Sequence, residues 1–469
     1  MTRADRPAWA LVATSLPMFM VAVDNLVVTN ALAVIAEDLN TSQTGLQWVV
    51  NGYILPFAGL LLAGAALGDR IGRRRVFVWG IGVFTAASAA CALATSAGAL
   101  MAARVLQGAG AAAILPVSLT LAVAAVGPAK RALAVGVWGG VNGLGIAIGP
   151  MAGGMVTQGL DWHWIFWLNV PVGLLAVPLA LWAVRESTGA ARPLDVWGTL
   201  LSCGAVVAAV WSIIQWAGED GAVLRTLLGV AVTAALAAAF AYRQRTAAHP
   251  LIPLHLYRVR PFMLSNALAM SMYFGVFGSI FFLAQFLQGP MGYSPLEAGL
   301  RTLPWTVAPM VAVPVASALL HRVGDWRLQA AGCLAQAVAL AWLGLIARPG
   351  VSYGPMVAAM VLAGVGMGLV FAANPATVIG SVEEHEHNLA SGVNNTIREF
   401  GGALGIAVLT LVHVQGGLRS AVLTGAAVVF AGAFAGLAIG RTKARPGSVP
   451  APSATPSARS DRPEPSRLP

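Results

Sequence analysis

Two ionisable residues in this sequence stand far from any other charge. Asp24 lies in MFMVAVDNLVVTNAL (18–32) and Arg104 in ARVLQGAG (103–110). At hydrocarbon depth each would cost about 2.5–3.5 kcal/mol on insertion scales, so each needs a partner or a water-filled cavity. Two chemistries suit them: a fixed ion pair between helices, or a carboxyl that binds and releases a proton as the nearness of a guanidinium and of water changes. Arg398 and Glu399 are a second base and acid in an apolar run, with His413 near the run's end. As sequence neighbours, Arg398 and Glu399 point about 100° apart on a helix. They suit a gate or a contact with a bound molecule.

Two further patterns are structural as much as chemical. GAALGDRIGRRRVF (64–77) holds Asp69, Arg70, Gly72, Arg73 and Arg74 in a very short turn. A membrane anchor would need the arginines but neither Asp69 nor the glycines. A carboxylate there can also cap a helix N-terminus, worth about 0.3–1 kcal/mol. GLGIAIGPMAGG (143–154) carries Gly145, Gly149, Pro150, Gly153 and Gly154, which bend a helix and let its neighbours approach closely. The amide and aromatic side chains Asn25, Tyr53, Phe57, Trp138, Asn142, Asn266, Tyr273, Gln285 and Trp305 are candidates to line a cavity. Lipid-facing or interfacial placement is the commoner fate of any one aromatic in a span.

The elements that hold these side chains are apolar helices. Hydrophobic residues make up 58% of the 469 and charged residues 10%, against roughly 25% charged in a soluble domain. The mean hydropathy is +0.76. A water-soluble globule is excluded. The net charge of +10 sits in short loops rather than on a stripe, which excludes a nucleic-acid surface. Cys91, Cys203 and Cys333 lie inside apolar runs without metal-ligand spacing, and EEHEHN (383–388) reads as a solvated acidic loop rather than a metal site. No phosphate-binding Gly-x-x-x-x-Gly-Lys-Ser/Thr loop is present, so nucleotide-driven transport is disfavoured. A membrane enzyme would need a catalytic His/Asp or Ser/His cluster at a membrane face, and none is evident. A receptor would not need a buried acid in one half of the chain.

About fourteen stretches reach the roughly 20 apolar residues that a bilayer crossing requires, between residues 9 and 439. An even number puts both termini on one side. If that side is the cytoplasm, the basic loop residues favour it by roughly five to one, with Arg225, Arg301, Arg348 and Arg419 outside. The opening stretch is too long for a signal peptide and contains Asp24, so it reads as an uncleaved first span. Residues 102–110 (AARVLQGAG) and 358–366 (AAMVLAGVG) agree at six of nine positions, an offset of 256 that also superimposes Gly136 on Gly392, Gly145 on Gly401 and Gly149 on Gly405. An offset of 252 sets Arg70, Gly72 and Arg75 on Arg322, Gly324 and Arg327. The chain therefore divides into six spans (1–190), two inserted spans (191–250), six spans (251–440) and a disordered cytoplasmic tail (441–469), an all-α membrane protein of two pseudo-equivalent bundles. Arg104 falls on Met360 and Arg398 on Asn142, so both bases are specific to one half.

On these motifs the chain resembles the major facilitator superfamily, and within it the fourteen-span drug:proton antiporters that include multidrug and antibiotic exporters. The resemblance runs from about residue 10 to 440. It places the family's loop pattern on Leu67, Asp69, Arg70, Gly72, Arg73 and Arg74, its span-4 base on Arg104, its antiporter motif on Gly145, Gly149, Pro150, Gly153 and Gly154, and its first-span acid on Asp24. Three positions depart: Ala65 where the loop motif opens with Gly, His163 where the Trp-x-Trp segment carries Arg, and Glu399 where an amide is usual.

The resemblance implies proton-coupled efflux of lipophilic drugs or antibiotics from the cytoplasm or inner leaflet by alternating access. The alternative is a dedicated exporter of one endogenous secondary metabolite. Asp24 and Arg104 would couple the proton, and the Asp69 turn would latch one conformation. The expected partners are the small-molecule substrate, protons and the bilayer of a bacterial inner membrane. No cofactor, nucleic acid or obligate protein partner is expected. The preference for Arg over Lys (Lys130 and Lys443 only) fits a GC-rich bacterial genome.

Overall fold

The computed structural model describes residues 7–127, 130–189, 195–216 and 223–443. The 190/191 boundary, Arg3, Arg6, Arg192, the Glu219/Asp220 pair and the tail from 444 onward lie outside the described residues. Those described form helices and connections without a strand. The helices are α1 (Pro7–Val27), α2 (Leu32–Asp38), α3 (Gln43–Ile71), α4 (Arg73–Ala92), α5 (Ala97–Val126), α6 (Arg131–Gly159), α7 (Trp164–Trp167), α8 (Asn169–Ala183), α9 (Val196–Trp216), α10 (Val223–Thr246), α11 (Arg260–Gln288), α12 (Pro295–Val323), α13 (Asp325–Ile346), α14 (Tyr353–Ile379) and α15 (His387–Lys443).

Thirteen of the described helices are long and apolar enough to cross a membrane. The last, α15, has 57 residues, about 85 Å of helix, nearly three times the roughly 30 Å core of a bilayer. It is broken at Gly417 (φ 75°, ψ 178°), a backbone that only glycine adopts without strain, so it makes two crossings. The chain therefore crosses fourteen times. Polar side chains fix the helix starts: the Ser42 and Ser96 hydroxyls accept from the Gly45 and Ala99 amides, and Ser294 with Glu297 forms a reciprocal capping box.

Helices α1, α3–α6 and α8 pack as one bundle, and α11–α15 as a second. Close approaches recur between them. Gly108 lies against the Tyr53 carbonyl and Gly364 against that of Trp305; Gly110 meets the backbone of Gly80 and Phe84, as Gly366 meets that of Gly332 and Gln336. Each pair is separated by the offsets found in the sequence. Gly72 (φ 119°) and Gly324 (φ 90°) turn the chain alike between α3 and α4 and between α12 and α13. The inserted α9 and α10 pack on each other, and α9 touches both α3 and α15, with Cys203 against Gly59. Much of α10 is exposed apolar surface, including Leu224 and Leu227, as a lipid-facing helix requires.

The two faces of the bundles differ. At the face opposite the arginine-rich Asp69 turn, side chains bridge the halves: Gln43 to Gln285 (3.0 Å), Gln288 to the Asn30 carbonyl (3.1 Å) and Gln158 to the Leu296 amide (3.3 Å). There α6 and α12 meet closely, Gly154 against Pro295 and Gly299 against Pro150. Towards the arginine-rich face the two helices lose this contact: Gly136, Gly139, Gly140 and Gly143 stand clear of neighbours, and Val311 and Val315 of α12 are exposed. A cavity of about 330 Å³ lies on that side between α3, α9, the 248–253 segment and Leu389.

The break at Gly417 places Gln415 and Arg441 on opposite sides of the membrane. With the three native cysteines replaced by serine, Gln415→Cys should react with an impermeant maleimide from the one side and Arg441→Cys only from the other. Labelling of both from one side would remove the last crossing.

Candidate functional site

Asp24 of α1 and Arg104 of α5 meet at the centre of the first bundle, both essentially without solvent exposure. Arg104 Nη1 donates to Asp24 Oδ2 at 2.5 Å. Asp24 Oδ1 accepts from Gln107 Nε2 (2.8 Å) and Asn169 Nδ2 (3.1 Å). Ser88 extends the shell: it accepts from Asn169 (3.0 Å) and Gln107 (3.3 Å) and donates to the Phe166 carbonyl (2.9 Å). Arg104 also donates to Gln107 Oε1 (2.7 Å) and to the Val49 carbonyl (3.3 Å), and its guanidinium lies 4.2 Å from the Tyr53 ring centroid. An acid that accepts three bonds, one from a cation, is arranged as a carboxylate. The pair is net neutral and satisfied on every side, which is what lets two charges stay away from water.

Helix register explains the convergence. Gln107 follows Arg104 by one turn, so one face of α5 supplies both. α1 comes within reach because Gly145, Gly149 and Gly153, four residues apart on α6, lie against Phe19, Val23, Leu26 and Val27; a side chain at Gly153 would meet the Val27 carbonyl at 2.1 Å. Gly154 faces the other way, against Pro295 of the second bundle. The Pro150 carbonyl accepts from Asn30 Nδ2 (2.6 Å), tying α6 to the 3₁₀ turn that follows α1. The second half has no such site: Gly401 and Gly405 approach Met270 and Phe274 as Gly145 and Gly149 approach α1, yet the position of Asp24 is occupied there by Gly275 and that of Arg104 by the buried Met360.

The Asp69 turn differs in detail from the sequence expectation. Asp69 pairs with Arg73 (2.7 Å) within the turn. The carboxylate at the helix N-terminus is instead Glu186, whose oxygens accept from the Arg74 (2.9 Å) and Arg75 (3.3 Å) amides of α4. Arg74 donates to the Val184 carbonyl (3.3 Å), the Arg73 amide to that of Ser187 (2.9 Å), and the Gly189 amide to that of Asp69 (3.0 Å). Arg70 is exposed, and any side chain at Gly72 would strike Glu186. The turn thus ties α3 and α4 to the chain leaving α8, within one bundle.

Of the other candidates, Tyr53 and Phe57 stack on each other (centroids 5.7 Å) beside Arg104. Trp138 donates to Ser118 Oγ (2.9 Å), Asn266 accepts from Asn394 (3.0 Å) and Gln285 belongs to the sealed face, so these three act as helix ties. Asn25 and Trp305 each present a buried polar atom without a partner, and Asn142 is half-buried on α6. Arg398 donates to Asn395 Oδ1 (2.5 Å) and lies over the Tyr273 ring; Glu399 is buried with Oε2 unpartnered. His163, outside the spans, contacts Asp161; partial burial pushes that carboxyl up, but hydrogen bonds from the His163 backbone and ring outweigh this and hold it below its usual range. Among the described residues no group of His, Cys, Asp and Glu could hold a metal. Glu386 pairs with His255 (2.8 Å). The sequence reading missed Gln107, Ser88, Asn169 and Glu186. Gln107 was within reach, one turn from Arg104; Ser88 and Glu186 carry no local signal.

The sequence profile of the Major Facilitator Superfamily matches residues 14–406. The tetracenomycin C resistance and export protein of Streptomyces glaucescens is 34% identical over 409 residues, 86% of this chain and 75% of that one. A puromycin resistance protein of Streptomyces alboniger is 36% identical over 417 residues (86% and 81%), and the multidrug efflux pump LfrA of Mycolicibacterium smegmatis 34% over 414 (87% and 81%). Among solved structures, a peptide transporter POT in complex with sulfate superimposes with a TM-score of 0.71 over 94% of this chain and 98% of that one at 14% identity, a likeness of fold.

Removing one member of the buried pair strands the other, so Arg104→Met should lower stability by about 3–5 kcal/mol. Asp24→Asn/Arg104→Met, with both charges gone, should recover at least half of that loss in thermal unfolding of the purified protein. A double variant as unstable as the single one would mean that the shell, not the charge pair, holds the site.

Proposed function

Because the chain belongs to the major facilitator superfamily, we propose that it is a secondary active transporter that exports lipophilic drugs or antibiotics in exchange for protons, by alternating access to a space between its two bundles. The observation that carries this reading is the Asp24–Arg104 pair. It is a titratable acid at bilayer depth, placed in one half only, where the other half packs Gly275 and Met360 and folds without it. In this reading the arginine-rich face is cytoplasmic, and the conformation described is closed to the outside.

Both partners belong to the first bundle, so rigid rocking of the halves by itself leaves their separation unchanged. Two connections can transmit the motion. Asn30, six residues beyond Asp24, bonds to Pro150 in its own bundle and to Gln288 in the other. Opening the outer face breaks the second bond and frees the 3₁₀ turn at the end of α1. Tyr53, under the Arg104 guanidinium, belongs to α3, which α15 of the other bundle reaches through the Thr396 hydroxyl on the Ala58 carbonyl (3.2 Å). Once α1 shifts and water reaches the site, the carboxylate loses Arg104 as partner and takes a proton from outside; reclosure restores the pair and expels the proton to the cytoplasm. The compound moves in the opposite phase. A driving force of roughly 150 mV supplies about 3.5 kcal/mol per proton, enough for a gradient of a few hundred fold at one to one.

Two of the relatives are named for one antibiotic each, so a dedicated exporter of a single compound is the second reading, and a panel of toxic compounds against an overexpressing strain separates the two. In everted vesicles, adding puromycin or ethidium should release protons from the lumen when the native chain is present. Asp24→Asn should reduce that release at least tenfold. Full-rate exchange by Asp24→Asn would refute the coupling role.

A further inference from the structure

The inserted helices α9 and α10 enter no step of the exchange described above, yet a buried acid stands where they meet the second bundle. Asp195 is 6% exposed, and its carboxylate gathers three elements. Oδ1 accepts from the Gly198 amide (3.0 Å), which caps α9, and from Arg243 Nε of α10 (3.0 Å). Oδ2 accepts from the Leu251 amide (3.2 Å), in the segment that leads from α10 to α11. That segment is itself seated in the second bundle. Leu256 is buried in one cluster with Phe262 of α11, Val378 of α14, and Ala390 and Val393 of α15, and Ile252 packs against it. His255 meets the buried Glu386 (2.8 Å) just before α15. From Asp195 to the second bundle the path runs through directional bonds and a closed apolar core.

The side turned to the first bundle is different. α9 meets α3 through Cys203 against Gly59, and the thiol reaches the Leu55 carbonyl only at 4.0 Å. Nearer the arginine-rich face the cavity of about 330 Å³ parts the two helices, with Ala63 and Ala66 of α3 on one wall and Thr199 of α9 and Leu389 of α15 on others. Hydrogen bonds to a buried carboxylate are directional and strand a charge when broken, whereas an apolar helix contact can slide in small steps. We propose that Asp195 is a positioning residue that fastens the inserted pair to the second bundle, so that α9 and α10 travel with that bundle and the α3–α9 contact is the surface that shears. The inference rests on the reading that the two bundles rock against each other. It makes the cavity beneath α9 a joint whose α3 wall moves while its α15 wall stays in place.

The test places pairs of spin labels on the full chain in lipid nanodiscs, with the three native cysteines replaced by serine. Arg75→Cys of α4, Tyr242→Cys of α10 and Arg322→Cys of α12, all exposed positions near the arginine-rich face, mark the first bundle, the inserted pair and the second bundle. Distances are read across a pH series, with and without ethidium. Wherever the Arg75–Arg322 distance shifts, the Arg75–Tyr242 distance should shift with it by about 5 Å, the scale of a one-turn slide, while the Tyr242–Arg322 distance keeps its centre and width. Asp195→Ala should broaden the Tyr242–Arg322 distribution at least twofold and keep the Arg75–Arg322 shift. Asp195→Asn, which can still cap α9, should recover part of the native width. In a second arm, a short bifunctional thiosulfonate joins Thr199→Cys to Ala66→Cys or to Leu389→Cys across the cavity. The bridge to α3 should cut ethidium transport in everted vesicles at least tenfold until it is reduced, and the bridge to α15 should leave it within twofold. An Arg75–Tyr242 distance that stays fixed while Arg75–Arg322 shifts, a Tyr242–Arg322 distribution unchanged by Asp195→Ala, or arrest by the Leu389 bridge would each overturn the proposal. An Arg75–Arg322 distance that never shifts would refute the rocking of the bundles, and the inference with it.

Discussion

A charge in hydrocarbon has no water to fall back on, and the first bundle is arranged around that fact. Asp24 and Arg104 form a net-neutral unit, with further hydrogen bonds to Gln107, Asn169 and the Val49 carbonyl and the Tyr53 ring beside the guanidinium. The rest follows from geometry. α1 must approach α5 and α8 closely enough to deliver Asp24, and the glycine stripe of α6 gives it room. Parting α1 from α5 would leave two uncompensated charges, so the close packing along α1 and α6 is a condition of burying the pair rather than a separate source of stability.

The same confinement sets the problem of coupling. Two groups inside one rigid body cannot sense the motion of that body against its partner unless something crosses the joint. Asn30 does so through a hydrogen bond to Gln288, and α3, which carries Tyr53, through the Thr396 hydroxyl of α15 on the Ala58 carbonyl. Neither touches Asp24 directly. In the proposed exchange, the routes to the carboxyl are a shift of α1 and the seating of the guanidinium on the Tyr53 ring.

Much of this was legible in the sequence because membrane segments obey few rules. Apolar length gave the crossings, and small-residue spacing gave the repeat that reappears as matched approaches at Gly108 and Gly364. The lone acid and base of spans one and four were visible because every neighbour is apolar. The rest depends on tertiary register. Ser88 and Asn169 come from helices whose rotation no local pattern fixes, and Glu186 caps α4 from more than a hundred residues away. The charge-rich turn pointed to Asp69 as the capping acid, whereas folding brings in a different one. Trp138, Asn266 and Gln285 looked like cavity residues because they are polar or aromatic; their helices turn them to serve as ties.

The inserted pair changes what the bundles can do. α9 rests on α3 at mid-depth, Cys203 against Gly59, and also touches α15, so it lies like a strap over the joint of two bodies that must shear past each other. In the proposed cycle α9 has to slip along at least one of them, with α10 and the surrounding lipid on its back. Bilayer thickness and fluidity would then act on transport through that contact.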